Sequence, residues 1–302
     1  MKMMPPIQVT DSSLTSSSVA EADHAAWSSG VTYATGDKVI LTTGYHRIYE
    51  SLADGNTGNN PATTTGYWVD IGPTNRWAMF DLAVGTVTED TDEIEVVIAL
   101  SNVEYANCLA LLDVVGDIAL LEIIDDEENV LWSRELELKT FGLSGADWYW
   151  YFFSDLEQLD SVIAMDIPRF YDSSLRVTIT GTGTVGCGTL AFGQAEDIGI
   201  TEWGPRLGLH SYSTKETDPY GVTTVVSRGY SKVMECDFFF PHAWVRQVFR
   251  KLAEVRDTPV LWIGSDEPLF DVMIVYGFAK NFEITLRTPR GSWCALEVEG
   301  LV

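Results

Sequence analysis

The sequence predicts a mainly β chain organised as a small β module, a β-sandwich domain and a C-terminal α+β domain, and three observations carry that reading. Short apolar stretches alternate with polar ones, as Leu175, Val177 and Ile179 alternate with Arg176, Thr178 and Thr180. Period-two alternation marks a strand buried on one face. Thirteen Phe, twelve Tyr and ten Trp enrich the residue types that suit pleated, half-buried surfaces. At 302 residues the chain exceeds one ordinary core and suits two or three domains.

Residues 1–20 are rich in Pro, Ser and Thr, and Met4-Pro5-Pro6 resists a helix. They read as an extended arm or linker, with a strand that pairs with a neighbouring molecule. Residues 21–75 form a compact aromatic unit punctuated by Gly, Asn and Pro and closed by the turn Gly72-Pro73-Thr74-Asn75. Residues 76–200 read as the β-sandwich. Ile94-Glu95-Val96 opens one strand, and Ile118–Ile124 and Val130–Leu138 flank the polar turn 125–129 as a hairpin. The run Gly181-Thr182-Gly183-Thr184 turns the chain into a further strand near 186–192, consistent with a Greek-key or jelly-roll arrangement.

Residues 201–302 read as one helix laid on an antiparallel sheet. Two strands are expected near 222–240, and Pro241 suits the first turn of a helix. Trp244, Val245, Val248, Phe249, Leu252 and Val255 recur at helical spacing as its apolar stripe. Asp257-Thr258-Pro259 stops the helix, and four strands follow at 260–263, 271–278, 282–287 and 292–299. The aromatic run Trp148–Phe153 fits either a core edge or an interface.

The formal net charge of −25 is unevenly spread: −4 over residues 1–75, −19 over 76–200 and −2 over 201–302. The acidic middle repels a phosphate backbone, so no nucleic-acid partner is expected. The near-neutral C-terminal segment is the expected surface for self-association. Cys108, Cys187, Cys236 and Cys294 show no metal-binding spacing and read as buried, reduced thiols. The acidic runs at 90–93 and 125–128 lack EF-hand spacing and read as solvated, so no metal or cofactor is expected. The chain contains no Gly-x-Ser-x-Gly elbow and no His-Glu-x-x-His, and its four histidines are isolated; it does not read as an enzyme. No apolar run has the length of a membrane span or a signal peptide, which points to synthesis in the cytoplasm.

One segment carries a motif. From Ala26 to Gly72, the residues Ala26-Trp27, Tyr33, Gly36-Asp37-Lys38-Val39, Tyr49, Gly58, Pro61 and Trp68 follow an order that resembles the chitin- and cellulose-binding modules of carbohydrate-binding families five and twelve. The resemblance implies that Trp27, Tyr33, Tyr49 and Trp68 stack on the apolar faces of sugar rings. A module this small also needs its large rings for burial, and the same residues would equally serve as its core. Where the family places tryptophan after its central tyrosine, this chain has Glu50-Ser51-Leu52.

The whole layout is similar to tail-tip proteins of siphophages. A proline-led Ser/Thr stretch precedes the small module, and Thr74–Asp81 leads into the β-sandwich. Trp262-Ile263-Gly264, Tyr276-Gly277-Phe278 and Leu296–Leu301 follow near the C-terminus. This resemblance implies a structural component of a phage tail tip or baseplate, with the C-terminal unit analogous to tail-tube ring domains. It implies a homotrimer or homohexamer in contact with other phage tail proteins, located in the virion after assembly in the host cytoplasm. The alternative it leaves open is a carbohydrate-binding adhesin that contacts host surface glycans.

Overall fold

Over residues 1–81, 83, 85–100, 105–141, 156–218, 220–221, 223–265, 268–288 and 291–301, which the computed structural model of the protein describes, the chain is mainly β. It holds several antiparallel sheets and, among the described residues, one α-helix, Val245–Glu254. The mainly β expectation holds at that level. No helix among the described residues is long and apolar enough to cross a membrane. The aromatic run at 148–153 lies outside the described residues.

Inward-facing aliphatics build a seven-stranded sheet in matched rows. Ile98, Leu175 and Ile123 sit side by side on three adjacent strands, as do Val96, Val177 and Leu121, and Ile94, Ile179 and Ala119. All nine are buried. Cross-strand neighbours of this kind are the unit of sheet stability, and each fully buried large aliphatic contributes roughly 1.5–3 kcal/mol. The central strand, Ser173–Gly193, is 21 residues long. Its Gly-Thr-Gly-Thr run, expected to separate two strands, instead bends this single one. Pairing with Thr88–Leu100 is interrupted between Thr180 and Thr184, where Gly183 takes φ 93°. A bulge with glycine at positive φ bends a strand without ending it. Beyond the bend the strand pairs with Cys108–Val115, and Leu109, Leu111, Cys187 and Phe192 join Ile94 and Val177 in one core.

The expected hairpin is present. Ile118–Ile124 pairs with Val130–Glu137, and the Asp125 carboxylate accepts from the N–H groups of Glu127 (2.9 Å) and Asn129 (2.8 Å). This is the local turn chemistry that aspartate favours.

The C-terminal sheet has eight strands. Its order runs Glu196–Asp197, Lys2–Met4, Val260–Ile263, Ile274–Thr288, Gly291–Gly300 and Tyr230–Pro241, with Ile200–Thr201 and Arg206–Ser211 beside the last. Val248 and Leu252 of the helix pack onto Phe238, Phe240 and Trp262 on one face. Trp262 is fully buried, and its indole N–H donates to the Gly277 carbonyl at 3.1 Å. Three expectations need correction. The apolar stripe is narrower than its sequence period: Trp244 and Phe249 are exposed. Phe249, about 100° round the helix from Val248, lies at the margin against Phe282, ring centroids 5.7 Å apart. Pro241 ends a strand, and the helix is entered through the 3-10 turn His242–Trp244. The strands expected at 271–278 and 282–287 are one, Ile274–Thr288, because a bulge between Ala279 and Asn281 absorbs the break in alternation.

The N-terminal segment is extended as expected, but its partners lie in its own chain rather than in a neighbour. Lys2–Met4 fills the gap between Glu196–Asp197 and Val260–Ile263, and Leu14–Ser17 pairs with Thr88–Leu100. The Met1 amine donates to the Gly199 carbonyl at 2.6 Å. Successive side chains of a strand point to opposite faces. Met3 therefore enters the core beneath the helix, and Met4 enters the apolar layer between the two large sheets. Cys108, Ala110, Ala191, Leu261, Ile263, Ile274 and Tyr276 are the other buried residues of that layer. Residues 1–20 thereby cross the expected domain boundary at 200 and tie both sheets together.

Candidate functional site

The small module is built from the strands Lys38–Leu41, Arg47–Ser51 and Trp68–Pro73, with the short pair Thr32–Tyr33 and Asn56–Thr57 beside them. Alternation turns Val39, Tyr49 and Trp68 inward, where they meet Tyr33, and half-buried Trp27 packs against this cluster. The structure thus brings together all four residues implicated by the resemblance, with Tyr33, Tyr49 and Trp68 in the module's own core and Trp27 packed against it. Trp68 is 2% exposed, and Tyr33 and Tyr49 are likewise buried. The Tyr33 and Trp68 rings meet edge to face with centroids 5.2 Å apart. Their polar atoms are satisfied internally: Trp68 Nε1 donates to the Asn59 carbonyl at 3.0 Å, and Tyr33 Oη accepts from the Ser28 N–H at 2.9 Å. Burial, with Asp70 adding to it, holds the Tyr49 phenol above its ordinary pKa.

At Glu50-Ser51-Leu52, Ser51 is a buried polar junction. Its hydroxyl donates to the Ala53 carbonyl and accepts from Asn56 Nδ2, both at 3.0 Å. The rings that the module does present to solvent are Tyr45 and Tyr67, alongside Val69 and Ile71. Tyr67 escaped sequence reasoning. The signal lay in Trp68-Val69-Asp70-Ile71, where an inward Trp68 turns Val69 and Ile71 outward.

His46 links the module to the rest of the chain. Its Nδ1 lies 2.9 Å from Glu21 and its Nε2 lies 2.6 Å from Asp11, while Thr74 Oγ1 donates to the same Glu21 carboxylate at 2.9 Å. Burial raises the thiols of Cys108, Cys187 and Cys294 to about 12 and that of Cys236 to about 11, far from the thiolate that reacts. No group of His, Cys, Asp and Glu among the described residues has the geometry to hold a metal ion. A cleft of about 320 Å³ between the large sheets is lined by Asp113, Asp160, Lys232 and Tyr276 among apolar neighbours, and Lys232 lies 4.0 Å from Asp160.

A second feature is an arm. Arg206–Ser211 pairs with the start of Tyr230–Pro241, and Thr214–Thr217 pairs with Thr223–Val226 to form a hairpin beyond. Every described residue from 206 to 230 is exposed except half-buried Ser213. Tyr220 is 92% exposed, and Trp203 at the root is 93% exposed. The two strands expected near 222–240 capture only the returning half of this arm. Its outgoing half was hinted at by the alternation of Leu207 and Leu209 with polar or small residues. Compared with known proteins, the chain matches no family model, no curated protein and no solved structure.

Proposed function

We propose that this chain is a non-enzymatic structural component of a tailed-phage tail tip or baseplate, assembling with copies of itself and with other tail proteins. The observation that carries the proposal is the exposed arm. A two-stranded hairpin without a core of its own is marginal in water, and exposed apolar side chains on such an element are the mark of a surface that another protein covers. The folded-over seven-stranded sheet is read as the β-sandwich, and the C-terminal sheet with its helix as the assembling unit. Mass spectrometry and antibody-labelled electron microscopy of purified particles test the proposal. The expected result is labelling at the tail tip in several copies per particle. Absence of the chain from intact particles overturns it.

A second reading, an adhesin that contacts host surface glycans, is favoured by Tyr45 and Tyr67, the exposed rings of the small module. Sugar stacking needs a solvent-facing ring, which leaves these two in the role the resemblance gives to Trp27, Tyr33, Tyr49 and Trp68. A glycan array probed with the full chain and with a Tyr45→Ala/Tyr67→Ala variant tests it. Specific binding that the variant loses supports the reading, and no binding by the full chain overturns it.

A further inference from the structure

We propose that the outer part of the arm, residues 211–229, docks onto the open acidic face of the C-terminal sheet in a second copy of this chain, joining copies head to tail. The inference rests on the reading above that the chain assembles, and it names the surfaces involved.

Of the four basic side chains between residues 203 and 232, Arg206 and Lys232 pair with Glu235 and Asp160 of the same molecule, which leaves Lys215 and Arg228 for a partner. Apolar and basic groups are also interleaved: Lys215 and Val225 are direct cross-strand partners, so both stand on one face of the hairpin. The surface that covers this face must therefore offer carboxylates around a small apolar floor.

Such a surface exists on the face of the C-terminal sheet turned away from the helix. Asp237, Ala295 and Glu283 form one row across three adjacent strands, and Glu235, Glu297 and Asn281 form the next. With Trp203, Gly204 and Arg206 from the root of the arm, they line a shallow groove of about 490 Å³. Like charges directly opposite each other destabilise a sheet, and Glu235 faces Glu297 across the strand pair. This pair has cations at hand, Arg206 at 3.5 Å from Glu235 and Lys280 at 3.0 Å from Glu297. Asp237 and Glu283 have no cation within salt-bridge distance among the described residues. Beside them, Phe239 and Trp293 pack edge to face, centroids 5.1 Å apart, as a half-buried aromatic shelf.

Beyond its root at residues 203–206, the arm does not reach this face within its own molecule. Tyr230 precedes Asp237 by seven residues on one continuous strand, a separation of roughly 24 Å at about 3.4 Å per residue. Lys215 and Val225 lie still farther out, beyond Tyr230. A contact between two different patches is heterologous, and repeated copies build rings or filaments. In the docked pair, Lys215 and Arg228 meet Asp237 and Glu283, and Val225 rests on Ala295.

Sedimentation velocity of the full chain at low and high salt tests the proposal, together with three variants. One carries Lys215→Glu and Arg228→Glu, one carries Asp237→Lys and Glu283→Lys, and one carries all four. The wild type should self-associate, more weakly at high salt. Each double reversal should weaken association by about ten-fold or more, and the four-site chain should recover it. A wild type that stays monomeric at high micromolar concentration overturns the proposal. So do double reversals that associate like the wild type, or a four-site chain that folds by circular dichroism and stays monomeric. Detection in purified particles is independent of these results: a chain present in tails but monomeric in solution sinks the arm assignment and spares the tail reading. A chain that associates through its arm but is absent from particles does the reverse.

Discussion

The imidazole of His46 lies stacked on the indole of Trp77, with ring centroids 4.1 Å apart and planes inclined by 22°. His46 belongs to the small module, and Trp77 to the 3-10 turn Asn75–Phe80, whose Met79 and Phe80 enter the core of the seven-stranded sheet. Because Asp11 and Glu21 hold the two nitrogens of the same ring, one side chain couples the module, the N-terminal segment and the large core.

Replacing His46 by Ala should therefore loosen the module without unfolding the body. The lost stacking amounts to about 0.5–1.5 kcal/mol, and Asp11 and Glu21 lose a shared partner. Hydrogen exchange should quicken at residues 42–47 and 74–80, while the strands Ile118–Ile124 and Ser173–Gly193 keep their protection.

Truncating the module's rings should cost stability in proportion to burial. Trp68→Ala should destabilise the module by roughly 3–5 kcal/mol, read as loss of exchange protection across residues 27–73. Tyr45→Ala and Tyr67→Ala should change it by less than about 0.5 kcal/mol, the usual range for surface positions.

Deleting residues 1–5 should destabilise the whole chain. Met3 and Met4 are buried in two different apolar layers, and burying a methionine is worth about 2–5 kcal/mol against alanine. Denaturant unfolding should show a lower midpoint, and Met3→Ala alone should reproduce much of the shift. An unchanged midpoint would contradict the assignment of this strand.

Gly277 should not tolerate a side chain. A Cβ there would lie 2.2 Å from the Glu299 carbonyl oxygen, a backbone atom with little room to retreat. Gly277→Ala should force the Ile274–Thr288 and Gly291–Gly300 strands apart and lower the melting temperature. Gly30→Ala, where nothing lies within 4 Å, is the control.

Stability should fall in alkali between about pH 9 and 12. The buried thiols hold their protons up to about 11 or 12 in the folded chain, against an ordinary value of 9.0. In that window the unfolded chain has released protons that the folded chain retains, so rising pH favours unfolding. Each thiol contributes a slope of about 1.4 kcal/mol per pH unit. Cys187→Ala should flatten the decline measured by denaturant midpoints from pH 8 to 11.

Much of this protein was legible in its sequence, because alternation and turn chemistry act over a few residues. Leu175, Val177 and Ile179 announced an inward face, Asp125–Asn129 announced a turn, and Val248 and Leu252 announced the buried face of a helix. Their partners could not be read there, since pairing depends on which distant strand offers a matching face. The N-terminal strand looked like an arm for a neighbour because an unpaired ladder fits any edge; only the tertiary structure supplied the edges, within the same chain. The aromatic residues of the small module carried the same ambiguity. A row of rings can face solvent or each other, and the register of Arg47–Ser51 against Trp68–Pro73 turned Tyr49 and Trp68 inward. Residue order set which side chains alternate; packing decided how each face is covered, and the C-terminal sheet is covered by the helix on one face and in part by the seven-stranded sheet on the other.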